Sequence, residues 1–424
     1  MLDIRFIKEN ADLVREAARK KLINFNLDDL LAVDNERVKI LGEVEGLRRE
    51  QNDANDRMIK PEEDKGALVT GMKRVKEALK IKEDELSEVM KRWQGLMLQV
   101  PNIPDMSVPE GKDDSENKEV KKWGIIPEFN FTPKSHIDIM LAHDWADFER
   151  GAKVAGFRGY FLKGEMARLS LAIWQYGMKF FGEKGMTPMI VPSLVRRENL
   201  LGTGFLPQGE EDLYKTQDGE YLAGTAEVAT MGYFMNETLD KSKLPIKVLS
   251  FSPCFRREAG AHGKDVKGLI RVHEFFKLEQ VVICEASHEE SVKMHEWLNR
   301  NTEEFIESLG IPYHTVINCG GDLGLGQVKK YDIELWVPLE GKYREISSAS
   351  YFHDFQTRRL NIRYRDTDGP PAQAGKLKYT HSLNSTAIPT PRILVSLIEN
   401  FQQSDGSVKL PEVLVPYMGK SVLN

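Results

Sequence analysis

One stretch of the sequence, residues 254–279, concentrates side chains that can do chemistry. It reads CFRREAGAHGKDVKGLIRVHEFFKLE, which predicts a strand, a polar glycine-rich loop and a second strand. Because side chains alternate along a strand, we expect Arg256 and Glu258 on one face of the first strand. The same alternation predicts a shared face on the second strand for Arg271, His273, Phe275, Lys277 and Glu279.

These residue types together suit a nucleotide held beside an amine. A guanidinium fork binds a phosphate through two hydrogen bonds, an aromatic face stacks on a purine, and a carboxylate binds an ammonium group. The same side chains would also be found in a half-exposed hairpin held by cross-strand ion pairs. The pattern alone leaves both interpretations open.

The usual nucleotide and metal motifs are absent from the sequence. GAHGK at 260–264 has too few residues between its glycines for a P-loop, and GLGQVK at 324–329 lacks the spacing of a dinucleotide-binding loop. Cys254, Cys284 and Cys319 lie far apart, and the nine histidines show neither HExxH nor zinc-finger spacing. We therefore expect no zinc, and a nucleotide site of neither of these two types.

Length and charge restrict the class of protein. A chain of 424 residues with 41% hydrophobic and 29% charged residues predicts two or more folded units. The sequence has no run of about 18 apolar residues, and its opening MLDIRFIKEN carries acids that targeting peptides avoid, so we expect a cytoplasmic protein without membrane contact. The net charge of -6 argues against indiscriminate coating of nucleic acid, and DNA is not an expected partner.

The N-terminal part of the sequence predicts a helical arm. After an amphipathic helix over 3–20, apolar residues recur at spacings of three and four along 30–58 and again along 68–100, as in a coiled coil. Pro61 and Gly66 separate the two stretches, which predicts an antiparallel pair. Basic residues cluster at Arg48, Arg49, Lys73, Arg74, Lys76, Lys91 and Arg92. They would either meet a phosphate backbone or form the solvated faces of the coiled coil.

The rest of the chain predicts an α+β domain. Residues 101–121 are rich in Pro, Asp, Gly, Ser and Lys, which indicates a linker. Helical patterns follow at about 163–184, 286–309 and 391–403. Short β-rich runs lie between them at 247–255, 270–283 and 331–339. Such grouping predicts an antiparallel sheet, so we expect an arm over 1–110, with its coiled coil at about 28–100, and a second domain over 111–424.

The stretch at 254–279 resembles motif 2 of the class II aminoacyl-tRNA synthetases. In the form FRREAG…G-x-D-x-x-G-x-x-R-V-H-x-F-x-K-x-E it is similar to that of the seryl-tRNA synthetases. Further segments resemble the same family in order: MLDIRFIKENADLVREA, PNIPDMSVPEGKDDSEN, DFERGAKVAGFRGYFLKGEMARL, MIVPSLV, GTGFLPQ, GTAEV, YDIELWVP, REISSASYFHDFQTRR and HSLNSTAIPTPRILVSLIEN. The resemblance covers nearly the whole chain and implies the class II antiparallel sheet with flanking helices.

The resemblance also implies which residues bind ATP. Arg256 would hold the α-phosphate and the amino acid carboxylate, Glu258 would contact the adenine side, and Phe275 would stack on adenine. Arg271 would reach the terminal phosphates and Arg392 the γ-phosphate.

The metal and amino acid ligands follow from the same resemblance. Glu345 and Ser348 match the ligands of the Mg²⁺ that accompanies ATP. The implied catalytic set is Arg256, Glu345 and Arg392. The implied serine pocket consists of Thr225, Glu227, Arg256, Glu279, Asn384 and Thr386.

The implied activity is that of a homodimeric ligase. It would activate L-serine with ATP to seryl-adenylate and transfer the seryl group to the 3′ end of serine tRNA, which the arm would bind. A selenocysteine tRNA stays open as a second substrate. The alternatives are a ligase that loads an amino acid on a carrier protein, a non-catalytic regulator and a structural coiled-coil protein. The complete arm argues against the first, the presence of Arg256, Glu345 and Arg392 against the second, and the chain beyond residue 120 against the third.

Motif 3 departs from the family pattern. Ser385 and Ala387 stand where glycines are usual, so we expect the backbone there to avoid positive φ. Pro389 and Pro391 suit the first turn of the following helix. The departure bears on details of the pocket.

Overall fold

The computed structural model divides into two compact units, residues 1–101 and 102–424. It describes residues 1–58, 65–260, 263, 265–366 and 375–424. Pro61, at the predicted turn of the arm, lies outside the described residues, as do three residues of the loop at 260–264.

Four helices form the described part of the first unit: α1 Ile4–Glu9, α2 Ala11–Lys20, α3 Leu27–Met58 and α4 Lys65–Met97. The single helix predicted over 3–20 is therefore wrong. Asn10 interrupts it with φ -127° and ψ 42°, and its side-chain amide donates to the carbonyl oxygen of Phe6 at 3.0 Å. The side-chain amide thus adds a second donor to a carbonyl oxygen that the backbone N–H of Asn10 also binds at 2.9 Å, and α1 ends there.

The two long helices α3 and α4 pair through an apolar seam. Its buried residues are Val33, Ile40, Val44, Leu79 and Val89. Ion pairs flank the seam, Arg48 with Glu83 at 2.7 Å and Arg92 with Glu36 at 3.3 Å. Because later residues of α3 pair with earlier residues of α4, the helices run antiparallel, as the short connection between the two stretches predicts.

The second unit is built on a mostly antiparallel sheet. Among the described residues it has eight strands: β1 Lys118–Trp123, β2 Thr187–Ile190, β3 Ile246–Phe255, β4 Glu274–Cys284, β5 Tyr313–Ile317, β6 Lys329–Val337, β7 Lys342–Tyr351 and β8 His381–Thr390. Their spatial order is β1-β5-β6-β7-β8-β4-β3-β2. Neighbours pair antiparallel except β2 and β3, which are parallel. The predicted α+β class is confirmed.

Helices flank the sheet and cover its core. They are α5 His136–Ala142, α6 Phe148–Ala155, α7 Gly164–Glu183, α8 Arg197–Thr203, α9 Ala226–Tyr233, α10 His288–Leu309, α11 Phe355–Leu360, α12 Arg392–Phe401 and α13 Val415–Met418. Short strands pair at the periphery: 146–147 with 161–162, 194–195 and 214–215 with 221–222, 238–239 and 377–379 with 363–365, and 408–409 with 422–423. At Gly177 of α7, a Cβ atom would lie 2.2 Å from Cδ1 of Ile388, so a larger residue would force the Ile388 side chain in β8 to move.

The stretch predicted as a linker is partly ordered in the sheet. Lys118–Trp123 forms the edge strand β1, which pairs with β5. Its sequence, KEVKKW, lacks an apolar alternation because an edge strand is exposed and is protected from aggregation by charge. Asn102 also belongs to the second unit, where its amide donates to the carbonyl oxygens of Gly326 and Phe352 at 3.0 and 2.8 Å.

Within the described residues, no helix combines the length and the apolar character needed to cross a membrane.

Candidate active site

The loop between β3 and β4 does not continue the strand alternation. β3 ends at Phe255 and β4 begins at Glu274, so Arg256 and Glu258 lie after the first strand, and Arg271 and His273 precede the second. The predicted strand faces for these four residues are therefore wrong. Glu258 has a φ of 55°, which an extended strand does not allow. The backbone N–H of Arg256 still donates to the carbonyl oxygen of His273 at 2.9 Å, which keeps the two ends together.

Within β4 the alternation holds and defines the floor of the site. Phe275, Lys277 and Glu279 point to the same face and line the cavities described below. The guanidinium carbon of Arg256 lies 5.2 Å from the ring centroid of Phe275. This cation–π contact aims the arginine over the floor of the site.

A β-bulge brings the two predicted metal ligands to one face of β7. Residues three apart on a regular strand point to opposite faces. In the pairing of β6 with β7, however, Ile333 is opposite Ser347 and Glu334 is opposite Glu345, so Ile346 is an extra residue. The bulge reverses the alternation, and both Glu345 and Ser348 line the same cavity.

A second bulge aligns β8 with β4. Leu278 is opposite Ile388 and Glu279 is opposite Thr386, which leaves Ala387 as the extra residue. Asn384 lies two residues from Thr386 and shares its face. Ser385 and Ala387, which replace the usual glycines, lie within the extended strand β8. Pro389 also lies in β8 and Pro391 precedes α12, so the prediction that both prolines lie in the first helical turn is wrong.

The N-terminus of α9 supplies two further polar side chains. The Thr225 hydroxyl accepts a hydrogen bond from the backbone N–H of Glu227 at 3.3 Å and caps the helix. It also donates to Oε2 of Glu279 at 3.2 Å. On its other side, Glu227 accepts from the amide of Gln356 at 2.6 Å, and Gln356 in turn accepts from the hydroxyl of Ser382 at 2.7 Å. These two hydrogen bonds therefore fix the orientation of the Glu227 side chain.

Arg392 is the first residue of α12 and is fixed by backbone carbonyl groups. Its guanidinium donates to the carbonyl oxygens of Ile270 at 2.9 Å and of Glu345 at 2.7 Å. Burial lowers the pKa of Arg392, and the negative charge of Glu345 opposes that change. The cation is thus held at the cavity wall before any ligand binds.

Two adjoining cavities collect most of the predicted site residues. The larger, of about 400 Å³, is lined by Thr225, Glu227, Arg256, Lys277, Glu279, Glu345, Ser348, Asn384 and Thr386, among others. The smaller, of about 60 Å³, is lined by Arg256, Glu258, Phe275, Lys277, Glu345, Thr386 and Arg392, among others. Arg256, Lys277, Glu345 and Thr386 line both. Arg271 lines neither cavity, and its guanidinium pairs with Glu258 and, at 3.5 Å, with Asp265.

The family resemblance assigns no role to two side chains that line or support the cavities. Strand alternation predicts the correct face of β4 for Lys277, and its position between Phe275 and Glu279 is the signal that it reaches the same cavities. Gln356 lies on α11 and is brought to Glu227 only by the fold, so no local pattern marks it.

Glu227 is 4% exposed, and burial raises its pKa to about 7. In an unfolded chain the pKa of a glutamate is near 4.5, so the folded protein binds the proton more tightly. The contribution of this proton to the free energy of unfolding is complete below pH 4.5 and is lost as the pH rises through 7.

Glu227→Gln keeps an oxygen for Gln356 and does not titrate. Its free energy of unfolding should therefore rise relative to that of the wild type by about 3 kcal/mol between pH 4.5 and pH 8. Urea unfolding of both proteins without ligand at several pH values measures this difference. A difference that does not change with pH would contradict the assignment.

The fold is that of the class II aminoacyl-tRNA synthetases. Residues 214–401 match the tRNA synthetase class II core domain (G, H, P, S and T). Residues 1–104 match the seryl-tRNA synthetase N-terminal domain. The chain belongs to the seryl-tRNA synthetase family, as the motifs indicate.

Individual relatives agree over the full length. The serine--tRNA ligase of Deinococcus radiodurans is 46% identical, over 99% of this chain and 98% of that protein. That of Thermodesulfovibrio yellowstonii is 41% identical over 100% of both. The crystal structure of seryl-tRNA synthetase from Pyrococcus horikoshii complexed with ATP superposes with a TM-score of 0.90 at 38% identity, covering 100% of this chain and 99% of that one.

Proposed function

We propose that this protein activates L-serine with ATP to seryl-adenylate and transfers the seryl group to the 3′ end of serine tRNA. One observation carries the proposal. The cavity lined by Phe275, Arg392 and Glu258 meets the cavity lined by Thr225 and Glu279, so a nucleotide and a small amino acid would lie side by side. Arg256, which lines both, stands where they would meet.

The first step needs positioning and neutralisation of charge. The serine carboxylate attacks the α-phosphorus of ATP in line, the bond to the bridging oxygen breaks, and pyrophosphate leaves with its electron pair. The carboxylate is already ionised, so no general base is required. Arg256 holds the carboxylate and the α-phosphate in register, and Arg392 neutralises the charge that moves to the γ-phosphate. In the second step a terminal ribose hydroxyl of the tRNA attacks the carbonyl carbon of seryl-adenylate and expels AMP.

The donors present on β7 fit a magnesium ion that arrives with ATP. Among the described residues no group of three or more His, Cys, Asp or Glu side chains could hold a metal alone, so phosphate oxygens must complete the coordination. Mg²⁺ is usually bound in that way, by one or two protein oxygens and the phosphates of its nucleotide. Glu345 and Ser348 would hold it. Asp332 lies directly opposite Ser348, and burial raises its pKa although Lys330, 3.4 Å away, acts in the other direction. When bound, Mg²⁺ neutralises phosphate charge.

Serine-dependent ATP–pyrophosphate exchange tests the proposed reaction. A pocket that pairs the substrate hydroxyl with buried polar side chains leaves those side chains without a partner when alanine binds, so alanine should be activated about 10⁴-fold less efficiently. Threonine adds one methyl group, which packing alone rejects by about 10 to 200-fold. The exchange rate should be highest with serine, lower with threonine and lowest with alanine. Glycine and cysteine are measured in the same series. Equal rates with alanine and serine would overturn the proposal.

We propose a homodimer assembled through the face around α7. An apolar cavity of about 710 Å³ is lined there by Phe157, Phe161, Leu171 and Trp174, among others. Phe157 is 58% exposed and Ile190, on the adjacent edge strand β2, is 84% exposed. Large exposed apolar surface of this kind is typical of a protein interface, and the motif 1 resemblance assigns the same region.

The arm, proposed over residues 1–110, would bind the tRNA, while residues 111–424 would carry the chemistry in the cytoplasm, where tRNA is charged. Among the basic side chains of the arm, Arg48, Lys91 and Arg92 form ion pairs, whereas Lys73, Arg74 and Lys76 are exposed on one stretch of α4. The ion pairs offset the charges of the first three, so Lys73, Arg74 and Lys76 are the better candidates for phosphate contacts. The proposal covers serine tRNA and leaves use of selenocysteine tRNA open.

A further inference from the structure

A lysine occupies the centre of the candidate serine pocket. Lys277 lies on β4 and is 5% exposed. Its ammonium group donates to the Thr225 hydroxyl at 3.0 Å and to the Thr386 hydroxyl at 3.4 Å, and it forms an ion pair with Oε2 of Glu279. Buried lysines are rare unless paired, so these contacts account for its presence.

The three partners of Lys277 are residues that the proposed function assigns to the substrate. Thr225 and Glu279 would bind the ammonium and hydroxyl groups of serine, and Thr386 would complete the pocket. Two ammonium groups cannot share one buried carboxylate without strong repulsion, because charges a few ångströms apart interact strongly away from water. The pocket's other carboxyl group, Glu227, carries less negative charge because burial raises its pKa to about 7. The serine ammonium therefore competes with Lys277 for Glu279.

The position of Lys277 offers another partner to its ammonium group once that group leaves Glu279. It lines both cavities together with Arg256, Glu345 and Thr386, at the point where the substrate carboxylate would approach the nucleotide. A lysine stem has four rotatable carbon–carbon bonds, so its ammonium can move several ångströms while the backbone of β4 stays in place. The substrate carboxylate would thus stabilise the displaced ammonium.

We propose that Lys277 is a specificity-determining residue that selects zwitterions by exchanging ion pairs. In the free protein its ammonium stands in for that of the substrate and keeps Glu279 paired. When serine binds, the serine ammonium takes Glu279 and Lys277 turns to the serine carboxylate. This inference rests on the proposed function, since it needs serine in the larger cavity. A ligand with an ammonium but no carboxylate would displace Lys277 without offering it a partner, so it would bind weakly.

The test compares serine with serinamide, which keeps the ammonium and hydroxyl groups and replaces the carboxylate by a neutral amide. Calorimetric titration of the full-length protein measures both affinities at pH 7. We expect the wild type to prefer serine by about 100-fold or more. In Lys277→Met, serine should bind about 10 to 100-fold more weakly, while serinamide should bind as well or better, because its competitor for Glu279 is gone. The preference for serine should then fall by about 10-fold or more, and Arg256, which also faces the carboxylate, accounts for what remains.

Two controls separate this role from a structural one. Lys329→Met removes another buried lysine, paired with Glu296 at 3.4 Å and outside both cavities, and should leave the preference unchanged. Lys277→Arg keeps the positive charge and should keep serinamide excluded. If Lys277→Met does not fold, Lys277→Gln is judged by the same ratio.

The outcomes distinguish failure of this inference from failure of the proposed function. Equal weakening of serine and serinamide in the Lys277 variant, or no change in either, would overturn the exchange of ion pairs. Absence of serine-dependent ATP–pyrophosphate exchange in the wild type would instead overturn the proposed function.

Discussion

Replacing Arg256 with methionine should lower serine-dependent ATP–pyrophosphate exchange by about 10³-fold. The guanidinium lies over the Phe275 ring and lines both cavities, so it would contact the serine carboxylate and the α-phosphate at once. Removing it takes away the fork that aligns the two reacting groups and the positive charge that the transition state needs. The loss should appear mainly in kcat, with a smaller change in the KM for serine.

The neighbouring Arg257 provides a matched control. Its side chain is exposed and it lines neither cavity, while its backbone N–H donates to the carbonyl oxygen of Asp212 at 2.9 Å, a bond that survives substitution. Arg257→Met should retain exchange within a few fold. Arg256→Lys, which keeps the charge but loses the fork, should fall between the two. A comparable loss in both methionine variants would mean that the loop as a whole matters more than the guanidinium of Arg256.

Hydrophobic spacing was sufficient to predict the long elements. The helices predicted at about 163–184, 286–309 and 391–403 are found at Gly164–Glu183, His288–Leu309 and Arg392–Phe401. Their apolar faces are long enough to fix the period, and caps mark their ends: Ser287 accepts from the N–H of Glu290, and Gly310 adopts the left-handed conformation. The antiparallel sheet and the family assignment are confirmed as well.

The parts that alternation predicts wrongly are those that assemble the site. Period two would put Glu345 and Ser348 on opposite faces, and a bulge at Ile346 puts them on one. A bulge depends on which residues pair across strands, and one sequence taken alone carries no record of that pairing. The left-handed Glu258 could not be predicted either, because a non-glycine residue adopts that conformation only where its surroundings enforce it.

Interactions that link distant segments also escaped prediction. Gln356 orients Glu227, which lies 129 positions away in the sequence. The Lys277 ammonium donates to the hydroxyl groups of Thr225, the N-cap of α9, and of Thr386 in β8. The residue types alone do not distinguish such a lysine from one that is solvated. Strand alternation does predict its face, since Lys277 lies between Phe275 and Glu279, which the family resemblance assigns to ATP and serine.

Removing residues 1–101 should abolish tRNA charging, by at least about 10³-fold in kcat/KM for serine tRNA, while ATP–pyrophosphate exchange stays within a few fold of the full chain. The residues that line the two cavities all lie in the second compact unit, 102–424, whereas the antiparallel helices α3 and α4 belong to the first. Adenylate formation should therefore depend on one unit and the capture of tRNA on the other.

A milder variant tests the same division in the full chain. Replacing Lys73, Arg74 and Lys76 with glutamine removes three exposed positive charges from α4 and leaves the seam with α3 intact. The KM for serine tRNA should rise, and its dependence on salt should become shallower because fewer counterions are released from the tRNA on binding. Exchange, which involves no tRNA, should not change. If exchange fell as far as charging in either variant, the arm would be needed for the chemistry itself, and its assignment as a tRNA-binding element would be wrong.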